Sequence, residues 1–193
     1  MKRLLIVTGF ESSGSVFLAR VASHVLQKCK TFGAWDGYGW NGDKGDDLVI
    51  IHRSMPYSRG PKKWFEELQD EIKDLADYDV RFVICTRDLS ISRTSRQLRF
   101  GGATATYKAD DARARDIFAN IMQTHEYYIF SFESALALRE IYYQDFYKWL
   151  GVESSFSPPL FDANAPYVKF KTPQRAIKLA RMSAGRFRRM VRI

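Results

Sequence analysis

The sequence predicts an α/β fold: a three-layer α/β/α domain around a central, mostly parallel sheet, followed by a basic C-terminal helix. Three observations predict it. Short apolar runs recur along the chain, each followed by a stretch with helical spacing. The first run, Leu4–Val7, leads into Gly9, four further residues, Gly14 and a helix-like segment. The net charge of +8 is concentrated in residues 169–193, which hold nine Lys and Arg and no acid.

The elements follow in order. Residues 2–8 form the first expected strand and 14–28 its helix. The apolar set Val16, Phe17, Ala19, Val21, Ala22, Val25 and Leu26 runs nearly all round that helix, as central packing requires. Residues 33–47, GAWDGYGWNGDKGDD, are rich in Gly, Asp and Trp and read as a loop. Asp47–His52 is the second strand. Pro61 suits the first turn of a helix over 62–77, with Trp64, Leu68, Ile72 and Leu75 on one face. Arg81–Thr86 is the third strand and 88–99 a helix. FGGATATY, 100–107, reads as a connector, and 110–124 as a helix. Tyr127–Phe132 is the fourth strand, and the helix over 134–149 ends at Gly151, a good C-cap. Pro158 and Pro159 mark a break. The domain is therefore expected over 1–157 and a basic extension over 158–193, helical from about 174.

A chain of 193 residues is long enough for one domain with a real core. No apolar run approaches the roughly 18 residues of a membrane span. Met1-Lys2-Arg3 before Leu4–Val7 has the charge order of a signal peptide. Thr8 and Glu11 end that apolar stretch and no small-residue cleavage site follows, so no signal is expected. Cys29 and Cys85 make no metal or disulfide framework, which fits a reducing cytoplasm.

The loop at residues 9–15 is P-loop-like up to Gly14. A nucleoside-triphosphate loop would continue Gly-Lys-Ser/Thr; this one continues Gly14-Ser15-Val16. It lacks the lysine that grips the β- and γ-phosphates and the hydroxyl that holds magnesium. It still offers backbone N–H groups at a helix N-terminus and the hydroxyls of Ser12, Ser13 and Ser15. A plain tight turn has the same spacing. Arg87 ends the third strand, and Ser95 follows about two helical turns later, on the side that faces the same anion. Pairing of Arg87 with Asp88 or a helix carboxylate is the structural alternative.

In this order and on these elements the sequence resembles the sulfotransferase family, whose members use 3′-phosphoadenosine 5′-phosphosulfate (PAPS). The family's first motif is a strand, a loop of the form Pro-Lys/Arg-Ser-Gly-Thr/Ser and a helix, matched here by Ser13-Gly14-Ser15. Its second is a strand ending in Arg, often followed by Asn or Asp, with a Ser eight residues on, matched by Arg87, Asp88 and Ser95. Phe132-Glu133 and Trp149-Leu150-Gly151 also fit, and the similarity runs from about residue 3 to 152. The resemblance implies a P-loop-containing nucleoside triphosphate hydrolase-like fold, PAPS as donor and no metal requirement. Ser12, Ser13, Gly14, Ser15 and Val16 would wrap the phosphosulfate, and Arg87 and Ser95 would hold the 3′-phosphate. The chain departs from the family at Ser12, where the family carries the Lys or Arg that stabilises the leaving oxygen, and Glu11 precedes it. Arg53, Arg59, Lys62 and Arg20 are the candidate replacements.

Transfer to a hydroxyl needs a base. His52 ends the second strand at the rim that carries the loop. In cytosolic sulfotransferases a histidine at the corresponding strand end, in Thr-His-Leu-Pro, is that base; here the stretch is Ile51-His52-Arg53-Ser54-Met55-Pro56. A hydrogen-bonded structural histidine is the alternative, and Glu11 is the rival base. His24 and His125 fall in helix patterns and read as structural. Trp35, Tyr38 and Trp40 either stack on a sugar or cover the core edge. Asn41, Asp43, Asp46 and Asp47 lack the closing Glu of a calcium loop, since position 52 is His.

In the tail, Ile177, Ala180, Ala184, Phe187 and Val191 share one helical face and basic residues occupy the rest. Such a helix fits an anionic membrane surface or a docking groove, with nucleic acid the least favoured partner. The expected function is sulfuryl transfer from PAPS to a hydroxyl or amine of a glycan, lipid or small molecule, in the cytoplasm, peripheral to a membrane. The rivals are a P-loop kinase of a nucleotide or small metabolite and a non-catalytic protein that binds polyanions or membranes.

Overall fold

The computed structural model describes residues 2–37, 39–43, 45–55, 77–101 and 104–168. It is an α/β fold. The strands are β1 (Lys2–Phe10), β2 (Gly39–Asn41), β3 (Leu48–Met55), β4 (Tyr78–Thr86) and β5 (Glu126–Ser131). The helices are α1 (Ser15–Val25), α2 (Leu89–Phe100), α3 (Thr104–Thr124), α4 (Phe132–Leu138), α5 (Glu140–Leu150) and the short α6 (Ala165–Val168). The sheet order is β2-β3-β1-β4-β5. β1, β3, β4 and β5 are parallel, and β2 is a short antiparallel edge on β3.

β1 is central because it is apolar on both faces. Leu5 and Val7 pack under α1 and α5, whereas Leu4, Ile6 and Phe10 pack under α3. A strand covered on both sides reads as a continuous apolar run, which is how Leu4–Val7 reads. α1 buries Leu18, Ala19, Val21, Ala22 and Val25. α5 buries Tyr143, Phe146, Tyr147 and Leu150, the i, i+3, i+4, i+7 set of one helical face. Burying side chains of this size stabilises by about 1.5–3 kcal/mol each relative to exposure.

The strands and helices fall where the sequence places them, with four differences. The loop expected over 33–47 contains β2, whose three residues are too few to show alternation. α3 begins at Thr104, inside the segment read as a connector over 100–107. The helix expected over 134–149 is two helices, broken at Arg139, whose φ of 50° is left-handed. The break leaves α4 at the end of β5 and lets α5 lay Phe146 against Phe130, centroids 5.4 Å apart. β1, β3 and β4 also run further than expected, β3 as far as Met55, whereas β5 stops at Ser131, whose side chain caps α4, so Phe132 and Glu133 open that helix instead of ending the strand. Gly151 caps α5 with φ 76°, its N–H on the Lys148 carbonyl, as its position predicts. The helix expected over 62–77 and the tail helix from about 174 lie outside the described residues. Among the described residues no helix is long and apolar enough to cross a membrane.

Candidate functional site

The sheet order fixes where a ligand site belongs. From β1 the chain moves to β3 on one side, and from β4 to β5 on the other, so the connections diverge between β1 and β4. In parallel sheets the crevice beyond the carboxyl ends at such a point is the usual binding position. The loop after β1 and Arg87 after β4 both emerge there.

The loop is tightly wound. Ser12 has φ 68° and Gly14 φ 98°, both left-handed, so residues 10–14 curl. The Ser13 N–H bonds to the Phe10 carbonyl (2.9 Å) and the Glu11 N–H to the Met55 carbonyl (3.2 Å). Gly9 is required by close approach. A Cβ there would lie 2.4 Å from the Cys85 carbonyl oxygen on β4 and 2.4 Å from Ser13 Oγ. The loop hands over to α1 at Gly14, which offers no side-chain cap to the first-turn N–H groups. The Oγ atoms of Ser12 and Ser13 are buried without a hydrogen-bond partner, and Ser13 is 0 % exposed. Uncompensated buried hydroxyls cost about 1–3 kcal/mol each, so two of them beside an uncapped helix N-terminus describe a place that can take an anion.

Ser15 is placed differently. Its Oγ shares a 2.9 Å hydrogen bond with His52 Nε2. His52 is 4 % exposed, and burial, then the neighbouring Arg53 charge, push its pKa down to about 4. The ring is therefore neutral at pH 7. Sequence placed it at the end of its strand, on the rim that carries the loop; β3 instead runs on to Met55, and the fold seats His52 behind the first turn of α1, because Val7 and His52 are register partners on the face that α1 covers. Cys85 is a small buried thiol, donating from Sγ to the Ser13 carbonyl (3.2 Å), with burial pushing its pKa up to about 12.

Arg87 turns away from Asp88 and toward the loop and the chain's last described segment. It donates from Nη1 to the Ser12 carbonyl (2.9 Å), from Nε to Asn164 Oδ1 (2.6 Å) and from Nη2 to the Ala163 carbonyl (2.7 Å). The rings of Phe132 and Tyr167 lie 5.3 and 5.6 Å from its guanidinium. Asp88 instead caps α2, accepting from the N–H groups of Ser90 and Ile91. Ser95 is buried on α2 and accepts from the Tyr167 hydroxyl (3.2 Å). Arg87 and Ser95, paired by spacing in the sequence, are both met by one segment, but the sequence gave no sign of Asn164 and Tyr167, whose partners lie over 70 residues away in the chain.

The remaining candidates separate cleanly. Arg20 donates to the Asp36 carbonyl (3.1 and 2.6 Å) and so faces the 33–47 loop. Arg53 donates to the carbonyl of His52 (3.0 Å). Arg59, Lys62 and Tyr38 lie outside the described residues. Trp35 packs on the core edge. His24 packs on Phe156 and His125 on Phe82, as structural histidines do. One cluster escaped the sequence: Asp111, fully buried, accepts from both Arg96 and Arg93. Arg96 is buried as well and lies over the Tyr107 ring.

Comparison of the chain with protein-family models, with curated proteins and with solved structures finds no match.

Proposed function

We propose that the chain is a PAPS-dependent sulfotransferase of divergent loop sequence, acting on a hydroxyl or amine of a glycan, lipid or small molecule. The observation that carries the reading is the pair of buried, unpartnered hydroxyls of Ser12 and Ser13 at the uncapped N-terminus of α1, with Arg87 joined to the same loop. These donors fit a phosphosulfate, whose terminal group carries less charge than a γ-phosphate. The resemblance in motif order supplies the identity of the nucleotide.

In this reading PAPS supplies the sulfuryl group, and the chain's residues bind and orient it. The N–H groups of Gly14, Ser15 and Val16 and the hydroxyls of Ser12 and Ser13 hold the 5′ oxygens. Arg87, with Nη1 on the Ser12 carbonyl, sets positive charge beside the residue that stands in place of the family's loop cation. Arg87 and Ser95 together form the 3′-phosphate end. Glu11, the first residue after β1, takes the acceptor proton. His52, neutral and buried, holds the Ser15 hydroxyl in position. The kinase reading needs a magnesium-binding carboxylate at a strand end, and Asp88 is engaged as the cap of α2.

The test is calorimetric titration with adenosine 3′,5′-bisphosphate, with Mg-ADP as comparator. Binding of the bisphosphate alone, abolished by Arg87→Ala and weakened by Ser13→Ala, supports the reading. Preference for Mg-ADP, or no binding of either, overturns it.

A further inference from the structure

We infer that residues 162–167 are an internal competitor for the 3′-phosphate end of the site, which the nucleotide must displace in order to bind. The inference rests on the nucleotide reading proposed above and adds its regulation. The two side chains that would grip a 3′-phosphate are both occupied by this one short segment. Arg87 gives Nε to Asn164 Oδ1 and Nη2 to the Ala163 carbonyl, and Ser95 Oγ receives the Tyr167 hydroxyl. Tyr167 also lies over the Arg87 guanidinium.

The segment is built to sit there. The Asp162 carboxylate accepts from the N–H groups of Asn164 and Ala165 (2.9 and 3.1 Å), which folds the chain into a turn. Asn164 Nδ2 then donates to Glu133 Oε1 (2.9 Å), which aims Oδ1 at Arg87. Leu160, just upstream, packs on the core and anchors the segment to the domain.

The occupants are weak by design of their chemistry. An amide oxygen, a backbone carbonyl and a phenol carry no charge, whereas a phosphate meets the guanidinium with ionised oxygens that can accept from its planar fork two at a time. A 3′-phosphate therefore displaces them, whereas a ligand without one has nothing to offer Arg87 in exchange. The apparent affinity falls by the fraction of molecules in which the segment is out. A closed population of about 90 % lowers apparent affinity about ten-fold.

The test is titration of the full chain and of an Asn164→Ala/Tyr167→Phe double variant with adenosine 3′,5′-bisphosphate and, separately, with AMP, which has no 3′-phosphate. Circular dichroism verifies the fold of each variant. The double variant is expected to bind the bisphosphate about ten-fold more tightly and AMP no differently. Should the double variant fail to fold, Tyr167→Phe alone removes a single hydroxyl and is expected to give a two- to three-fold gain, about the worth of one weak hydrogen bond. Equal or weaker bisphosphate binding by the folded variant, with the wild type binding normally, overturns the competitor and leaves the nucleotide reading standing. An equal gain for AMP also overturns it, because the segment would then be covering the site by bulk. If neither protein binds the bisphosphate, the nucleotide reading falls and the competitor with it.

Discussion

Replacing Arg87 with alanine tests the joint between the β1 loop, β4 and the C-terminal segment. The substitution removes three hydrogen bonds at once, at 2.6, 2.7 and 2.9 Å, from a guanidinium lying near the rings of Phe132 and Tyr167. A hydrogen bond to a charged group contributes about 1.5–3 kcal/mol when well buried. Arg87 is only half-buried and water enters the space it leaves, so about 1 kcal/mol per bond is the appropriate figure, or about 3 kcal/mol in total. For a domain of this size each kcal/mol shifts the midpoint by about 2–4 °C, which predicts a fall of about 6–12 °C. Arg87→Lys keeps the charge but brings a single ammonium to three acceptors spaced for a planar fork, and is expected to lose about 2 kcal/mol. The assay is urea unfolding followed by tryptophan fluorescence, with thermal unfolding alongside. Arg115→Ala, on an exposed position of α3, serves as the control and is expected within about 0.5 kcal/mol of wild type. An Arg87→Ala protein as stable as that control refutes the idea that Arg87 ties these three segments together.

Three other outcomes follow from the same geometry. Gly9→Ala drives a Cβ to 2.4 Å from the Cys85 carbonyl, which is strand backbone and cannot yield, so urea unfolding should show a loss of about 3 kcal/mol or more. His52 has a folded pKa of about 4 against about 6.5 when unfolded, so between those values the unfolded chain binds the proton and the folded chain does not. Stability is then fully present above about pH 6.5 and falls by about 3 kcal/mol as pH drops towards 4; urea titrations across that window should show the slope, and His52→Gln should flatten it. Asp111→Ala strands Arg96, buried with its charge uncompensated, and should cost about 3–5 kcal/mol in the same unfolding assay.

What the sequence determined rests on local pattern, though β2, the start of α3 at Thr104 and the break at Arg139 escaped it. Leu4–Val7 read as a strand covered on both faces, because a short continuous apolar run has no solvent side, and it is one. Gly9 and Gly14 marked the two ends of a curled loop, and Gly151 marked a helix end. Arg87 at the end of one strand and Ser95 two turns into the next helix were legible by spacing alone. Tertiary structure decided what those groups touch. His52 shares its bond with Ser15, 37 residues away, because parallel pairing of β1 and β3 puts it under α1 rather than at the rim. Arg87 meets Asn164, 77 residues on, and Arg96 meets Asp111 across two helices, since the folded core brings together groups that no periodicity relates. Alternation and capping are properties of a few neighbouring residues. Hydrogen-bond partners at a sheet's carboxyl edge are set by which distant segments the core packs there, and that choice is made only when the whole chain folds.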